Sequence, residues 1–198
     1  MEPVNTNIDP LISVVGTGLH SWLEAAITRF NFTFDTDTLV PEARVQIDQD
    51  TSGTSDLYHR QLQAVIDFKS AGPDVIKQVM NSGPDRSYLV QAHLYGLGYR
   101  NQGLPVSHVM NVYLPRSGLL SGIYVWRAPY DEQVALDALA RRDRIAAETA
   151  LAVLKSPNWP NLIPAEASDK DCYFCPFHGK DMMVGATVTY GCPGVSKM

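Results

Sequence analysis

Two short words in this 198-residue chain carry the residue types that hydrolytic chemistry needs: Gly53-Thr54-Ser55-Asp56 and, further on, Asp67-Phe68-Lys69, the latter preceded by the apolar Ala64-Val65-Ile66. The second word reads as a strand that ends in polar chemistry. Side chains alternate across a strand, so Asp67 and Lys69 emerge on one face and Phe68 on the other. A hairpin connection would set Asp56 beside them. Two carboxylates brought to one point repel strongly in a medium of low polarity unless a cation joins them, which makes a hard ion such as Mg2+ or Mn2+ the natural occupant. A lysine beside that ion can orient an attacking water, help to deprotonate it, or neutralise charge building on a pentavalent phosphorus, while the ion acts as a Lewis acid. An Asp-x-Lys triplet alone is common on protein surfaces, so the argument depends on what accompanies it.

Two further groups do. Gly16-Thr17-Gly18-Leu19-His20 reads as a turn opening a helix, with His20 and Glu24 at i and i+4 and hence on one face. A histidine is a good ligand for Mn2+ and a tolerable neighbour of Mg2+, and Glu24 could hold it in place from behind. Downstream, Gln91 and Tyr95 again share a helix face, with Leu94, Leu97 and Val90 expected on its buried side. Such a pair can bind phosphate or base edges, although a solvent-facing pair is the simpler account.

Taken in order, Gly16-Thr17-x-x-His20, Gly53-Thr54-x-Asp56, Asp67-Phe68-Lys69 and Gln91-x-x-x-Tyr95 resemble the words of the PD-(D/E)xK nuclease superfamily, in its RecB-like and CRISPR-associated exonuclease branch. The likeness spans roughly residues 14 to 194, and Leu94-Tyr95-Gly96-Leu97-Gly98 continues it as in phage-encoded members. The resemblance implies an α/β fold, a central mixed β-sheet flanked by helices as in restriction endonucleases. It implies a metal held by His20, Asp56, Asp67 and the main-chain carbonyl of Phe68, with Lys69 as the catalytic lysine and Gln91 and Tyr95 positioning DNA. Glu42 resembles a recurrent acidic position, expected behind the ligands with Glu24. The implied reaction is phosphodiester hydrolysis by in-line attack of water, leaving a 5′-phosphate and a 3′-hydroxyl, with exonuclease action the expected mode. DNA is the implied partner, together with recombination or CRISPR-adaptation proteins. A structure-specific endonuclease or junction resolvase is the alternative enzyme, because folds do not dictate substrates. A non-catalytic, metal-stabilised DNA-binding module is the alternative from another class.

Cys172-Tyr173-Phe174-Cys175-Pro176 and Cys192-Pro193-Gly194 resemble the carboxy-terminal part of the iron–sulfur motif that many of these nucleases carry, whose fourth cysteine precedes the nuclease core. No cysteine precedes Cys172 here, so a four-thiolate [4Fe-4S] set is incomplete. Three accounts stay open: a start shortened relative to the family, completion by His178 as a three-cysteine, one-histidine site suited to Zn2+, or a decayed site with buried thiols. Either metal would be structural, pinning the tail and leaving hydrolysis to the carboxylates.

The elements that must position these groups follow from periodicity and punctuation. Apolar residues at helical spacing predict a helix from about Gly18 to Arg29, and strands are expected over Val40–Ile47, Thr54–Tyr58 and Leu62–Phe68 as a meander, with a turn at Asp48–Ser52. Helices follow over Asp74–Met80 and Arg86–Tyr99, then strands at Val109–Leu114 and Gly122–Arg127, and a long amphipathic helix over Tyr130–Leu154. Residues 1–155 are expected to form the nuclease core, with a cysteine-containing segment from 156 to 198 packed on it. A composition of 45% hydrophobic and 19% charged residues suits one globular domain. The net charge of −5 argues against a passive nucleic-acid binder, which needs a basic face to displace counterions. It is compatible with a nuclease, whose bound cation reverses the local potential. Arg141, Arg142 and Arg144, with Arg100, Arg116 and Arg127 before them, are candidates for contacting a DNA backbone, or else a solvated helix face. Three clustered cysteines, no membrane-length apolar run and no secretory signal lead to the expectation of a cytoplasmic protein, prokaryotic or in a phage-infected cell.

Overall fold

A computed structural model of the chain describes residues 11–155 and, beyond them, two three-residue strands. The order is α1 (Leu11–Phe34), β1 (Leu39–Gln46), β2 (Ser52–His59), β3 (Ala64–Ala71), α2 (Pro73–Ser82), α3 (Arg86–Asn101), β4 (His108–Pro115), β5 (Tyr124–Pro129), α4 (Glu132–Lys155), β6 (Met182–Val184) and β7 (Thr187–Thr189). A 3-10 turn at Leu120–Gly122 joins β4 to β5. The five long strands form one sheet in the order β1-β2-β3-β4-β5, and β6 pairs with β7 in a two-stranded sheet. Neighbours are antiparallel except β3 and β4, which run parallel. A parallel pair needs a long crossover, and α2 with α3 supply it. The expected α/β architecture, a mixed sheet flanked by helices, is what the chain adopts. Leu11–Ala138 form one compact unit, and at Leu139 α4 passes into a second.

The sheet core is built by alternation along β3. Val65 joins Val45, Tyr58, Ala92, Tyr99 and Val109, which packs α3 on the sheet. Ala64 and Ile66 join Leu57, with Ile27 of α1 and Phe68, Met110 and Val112 packed against them. Helices therefore cover both faces, and β3, covered on both, reads as a nearly continuous apolar run until Asp67. Tyr58 stacks on Tyr99 with ring centroids 4.5 Å apart, and its hydroxyl donates to the Pro105 carbonyl. Ile76 and Val79 bring α2 onto Ala71 and Tyr113.

Most elements fall within two residues of the positions the sequence predicts, and two differ more. The turn expected at Gly16-Thr17 is absent: α1 runs as one 24-residue helix through both glycines. An interior glycine costs a helix about 1 kcal/mol relative to alanine, and neither Gly16 nor Gly18 takes a positive φ. Packing of the Ile27 side of the helix against the sheet outweighs that local cost. The third strand runs to Ala71, three residues past Phe68, and starts at Ala64 rather than Leu62, because Gln63 adopts a left-handed φ of 49° and its N–H closes the hairpin on the Arg60 carbonyl at 3.2 Å. The expected turn before β2 is present, with Asp48 Oδ1 accepting from the N–H groups of Asp50 and Thr51 at 3.0 and 2.7 Å.

Where α3 crosses β1 the backbones touch. A Cβ on Gly98 would lie 2.8 Å from the Cβ of Val45 and 3.5 Å from the Gln46 carbonyl oxygen. Gly98→Leu is expected to destabilise the fold by about 1–3 kcal/mol, read as a lowered urea midpoint. Gly122→Ala, whose added carbon would meet only Pro115 at 3.8 Å, is expected to stay within about 0.5 kcal/mol of the parent.

Candidate metal centre

The ladder between β2 and β3 has three rungs, His59↔Ala64, Tyr58↔Val65 and Leu57↔Ile66, and then stops. Beyond it β2 stays paired with β1 back to Ser52↔Gln46, and β3 stays paired with β4 out to Ala71↔Pro115. The two strands thus part and leave a fork. In that fork the N–H of Phe68 donates to Asp56 Oδ2 at 2.7 Å, where a strand carbonyl would otherwise accept. Asp56 is thereby anchored by one oxygen, and its other oxygen lies 3.3 Å from His20 Nδ1. The long α1 that packs Ile27 against the sheet is the element that delivers His20 to this point.

Glu42, on β1, stands opposite Asp56 of β2. Its neighbours Pro41 and Ala43 pair with Leu57 and Ser55, but Glu42 itself is out of the ladder with a φ of 46°. A left-handed non-glycine residue inside a strand costs on the order of 1–3 kcal/mol and persists only where its surroundings demand it. The result here is a carboxylate beside the other two groups: one donor atom each from His20, Glu42 and Asp56 lie within 4.8 Å of one another. Two donors bound to one cation at about 2.0–2.4 Å cannot be further apart than about 4.8 Å. An imidazole and two carboxylates at this spacing can hold a metal ion. Burial pushes the Glu42 carboxyl above its usual range, with the Asp56 charge adding to the rise, His20 opposing it and Glu24 adding again. Gly16, Thr17, Ser21 and Glu24 complete a recess of about 400 Å³ around His20 and Glu42.

The other predicted residues form a connected set on the next strand. Asp67 is 1% exposed, and Lys69 Nζ lies 2.7 Å from its Oδ2. Lys69 also donates to Gln91 Oε1 at 2.9 Å, and Gln91 Nε2 donates to the Tyr95 hydroxyl at 3.1 Å. Gln91 and Tyr95 are thus part of the site rather than a solvent-facing pair. The buried side of α3 is Ala92, His93, Gly96, Leu97, Gly98 and Tyr99, whereas Val90 and Leu94 are only half-buried. Burial is the main reason that the Asp67 carboxyl rises from 3.8 to about 6; Lys69 opposes this, Asp56 adds to it and His20 opposes it. Tyr95 is also pushed up by burial.

The predicted residues fall into two adjoining groups, joined by the Asp56 to Phe68 hydrogen bond. The mutually close donors are His20, Glu42 and Asp56; Asp67 is not among them, and its Oδ2 is held by Lys69. Glu42, expected behind the ligands, lies in the donor set. The only sequence sign of this was an acidic residue beside a proline inside a predicted strand. Phe68 meets Asp56 through its N–H, and its side chain packs against Leu57, Ala64 and Ile66. Gly53 acquires a role that its motif did not disclose: a Cβ there would lie 2.7 Å from Tyr95 Cε1, so only glycine lets the tyrosine ring come this close. Of the arginines, Arg100 pairs with Glu132 at 2.8 Å, Arg142 with Asp143 at 2.6 Å and Arg144 with Glu148 at 3.4 Å, while Arg116 and Arg127 are exposed. Cys172, Cys175, His178 and Cys192 lie outside the described residues. Among the described residues no helix is long and apolar enough to cross a membrane. No known protein family, curated protein or solved structure matches the chain, so its site is read from its own geometry.

Mn2+ at a hundred times its dissociation constant is expected to stabilise the folded chain by about 2.7 kcal/mol. Glu42→Gln and Asp56→Asn should each remove most of that gain in a thermal-shift titration, and an unchanged gain in both would exclude this trio. A pH effect follows from Asp67 in metal-free protein. Its folded pKa lies above its unfolded one, so between about pH 4 and pH 6 the folded chain binds more protons and stability falls as pH rises. The rise from 3.8 to about 6 corresponds to a penalty of about 3 kcal/mol at pH 7. Asp67→Asn should flatten that limb of the stability profile, as measured by urea unfolding across pH.

Proposed function

We propose that this chain is a Mg2+- or Mn2+-dependent deoxyribonuclease of the PD-(D/E)xK type that acts as an exonuclease in DNA recombination, repair or processing. The observation that carries the reading is the pairing of two features in one fork of the sheet. A histidine–carboxylate trio spaced for one cation adjoins a buried aspartate–lysine pair on the neighbouring strand, and the Asp56 to Phe68 hydrogen bond joins them. The four sequence words that resemble this family supply His20, Asp56, Asp67 and Lys69, while Glu42 lies outside them.

Oxygen donors with one imidazole and no thiolate favour a hard ion over a soft one. Such an ion would supply Lewis acidity toward a phosphodiester oxygen and make water a better nucleophile. The chain's own groups do the rest. Lys69, held between Asp67 and Gln91, keeps a fixed positive charge beside the trio, where it offsets charge gathering on phosphorus during in-line attack. Asp67, with its proton affinity raised by burial, is suited to exchange a proton near neutral pH. Gln91 and Tyr95 fix the lysine from α3. A passive DNA-binding module gains nothing from burying a carboxylate beside two others, which favours an enzyme over a binder.

The test uses end-labelled linear and closed circular DNA with Mg2+ or Mn2+. Release of label from linear DNA with circles left intact is expected; nicked circles would indicate an endonuclease or resolvase instead. Asp67→Ala and Lys69→Ala should each lower the rate by about 10²–10⁴-fold with circular dichroism unchanged. Parent-like degradation by Asp67→Ala would overturn the catalytic assignment. Iron and zinc analysis of anaerobically purified protein reads the thiol set of Cys172, Cys175 and Cys192 with His178 separately from this assay.

A further inference from the structure

Lysine is a poor anchor for its own charge. Its ammonium is a compact point charge on a flexible four-carbon stem, and one ion pair does not determine where it sits. Around Lys69 three groups do so together. Asp67 Oδ2 lies at 2.7 Å and Gln91 Oε1 at 2.9 Å, and the ammonium stands 4.4 Å from the ring centroid of Tyr88. Tyr88, Gln91 and Tyr95 follow one another at i, i+3 and i+7 along one face of α3. The first turn that carries Tyr88 is itself fixed, because Asp85 caps the helix by accepting from the N–H and hydroxyl of Ser87 at 2.8 and 2.6 Å.

We propose that Tyr88 is a positioning residue whose ring face holds the Lys69 ammonium in place against Asp67 and Gln91. The proposal rests on the nuclease reading. The chemistry of the contact differs from that of the other two. A carboxylate attracts an ammonium but cancels its charge, whereas an aromatic face attracts it through the ring quadrupole and carries no net charge. Tyr88 therefore orients the lysine without cancelling any charge beyond what Asp67 already offsets. The Lys69 side chain is only 17% exposed, so water competes weakly for the cation and the contact is stronger than at an open surface. The ring, not the hydroxyl, is the working part, so phenylalanine should serve and an aliphatic side chain of similar size should not. Tyr88 is 38% exposed, which lets it be replaced without opening the core.

Two readouts test this. With saturating Mn2+ and linear DNA, Tyr88→Leu is expected to lower kcat about tenfold with KM within about twofold, and Tyr88→Phe to recover most of the loss. The second readout needs no activity. After reductive 13C-methylation of lysines, the Lys69 N-methyl resonance, assigned with Lys69→Arg, should be shifted upfield by the ring current in the parent and in Tyr88→Phe. In Tyr88→Leu it should return to the position of the other lysines. Equal kcat in Tyr88→Leu and parent, equal impairment by leucine and phenylalanine, or an unshifted Lys69 signal in the parent would each overturn the proposal. Should Tyr88→Leu fail to fold, the parent and Tyr88→Phe spectra still decide it. A parent inert toward DNA would overturn the nuclease reading, and an active parent lacking the ring-current shift would overturn this proposal alone.

Discussion

Negative charge gathered where water has little access is the constraint around which this protein is arranged. Asp56, Glu42 and Asp67 come together at the parting of β2 and β3, and Asp56 raises the proton affinity of the other two. Such a cluster is costly unless positive charge is supplied. Part of that charge is built in where Lys69 faces Asp67. One lysine against three carboxylates leaves a deficit, which a cation held by His20, Glu42 and Asp56 would make up.

The architecture makes the cluster possible by interrupting its own hydrogen bonding. Had the β2–β3 ladder continued past Leu57↔Ile66, Phe68 would have bonded a strand carbonyl and left Asp56 no anchor. The early end of the ladder and the left-handed Glu42 both spend backbone stability to aim carboxylates at one point. Elsewhere the same sheet is conventional, packed by Ile27 of α1 on one face and by Ala92 and Tyr99 of α3 on the other. These helices are also the ones that reach into the fork, α1 with His20 and α3 with Gln91 and Tyr95. Gly53 and Gly98 mark where that requires contact closer than any side chain permits.

Much of this was legible in the sequence because it is periodic or local. The meander, the crossover helices and the alternation that separates Asp67 and Lys69 from Phe68 follow from pattern alone. The convergence of His20, Asp56, Asp67 and Lys69 followed from the family resemblance. What escaped was decided by tertiary context. Two glycines suggested a turn before His20, yet packing carries α1 straight through them. Glu42 entered the donor set through a backbone conformation that no propensity scale assigns to an interior strand glutamate. Asp67, expected among the ligands, is buried with Lys69 beside its Oδ2. The cysteine words remain a matter of sequence, since they fall outside the described residues.

The most direct test of the account is anomalous diffraction from crystals of this protein soaked in Mn2+. A single strong peak within bonding distance of His20, Glu42 and Asp56, lost in Asp56→Asn crystals, is the result expected. A peak bound elsewhere, or none at this fork with manganese in excess, would contradict the claim that these groups exist to hold a cation.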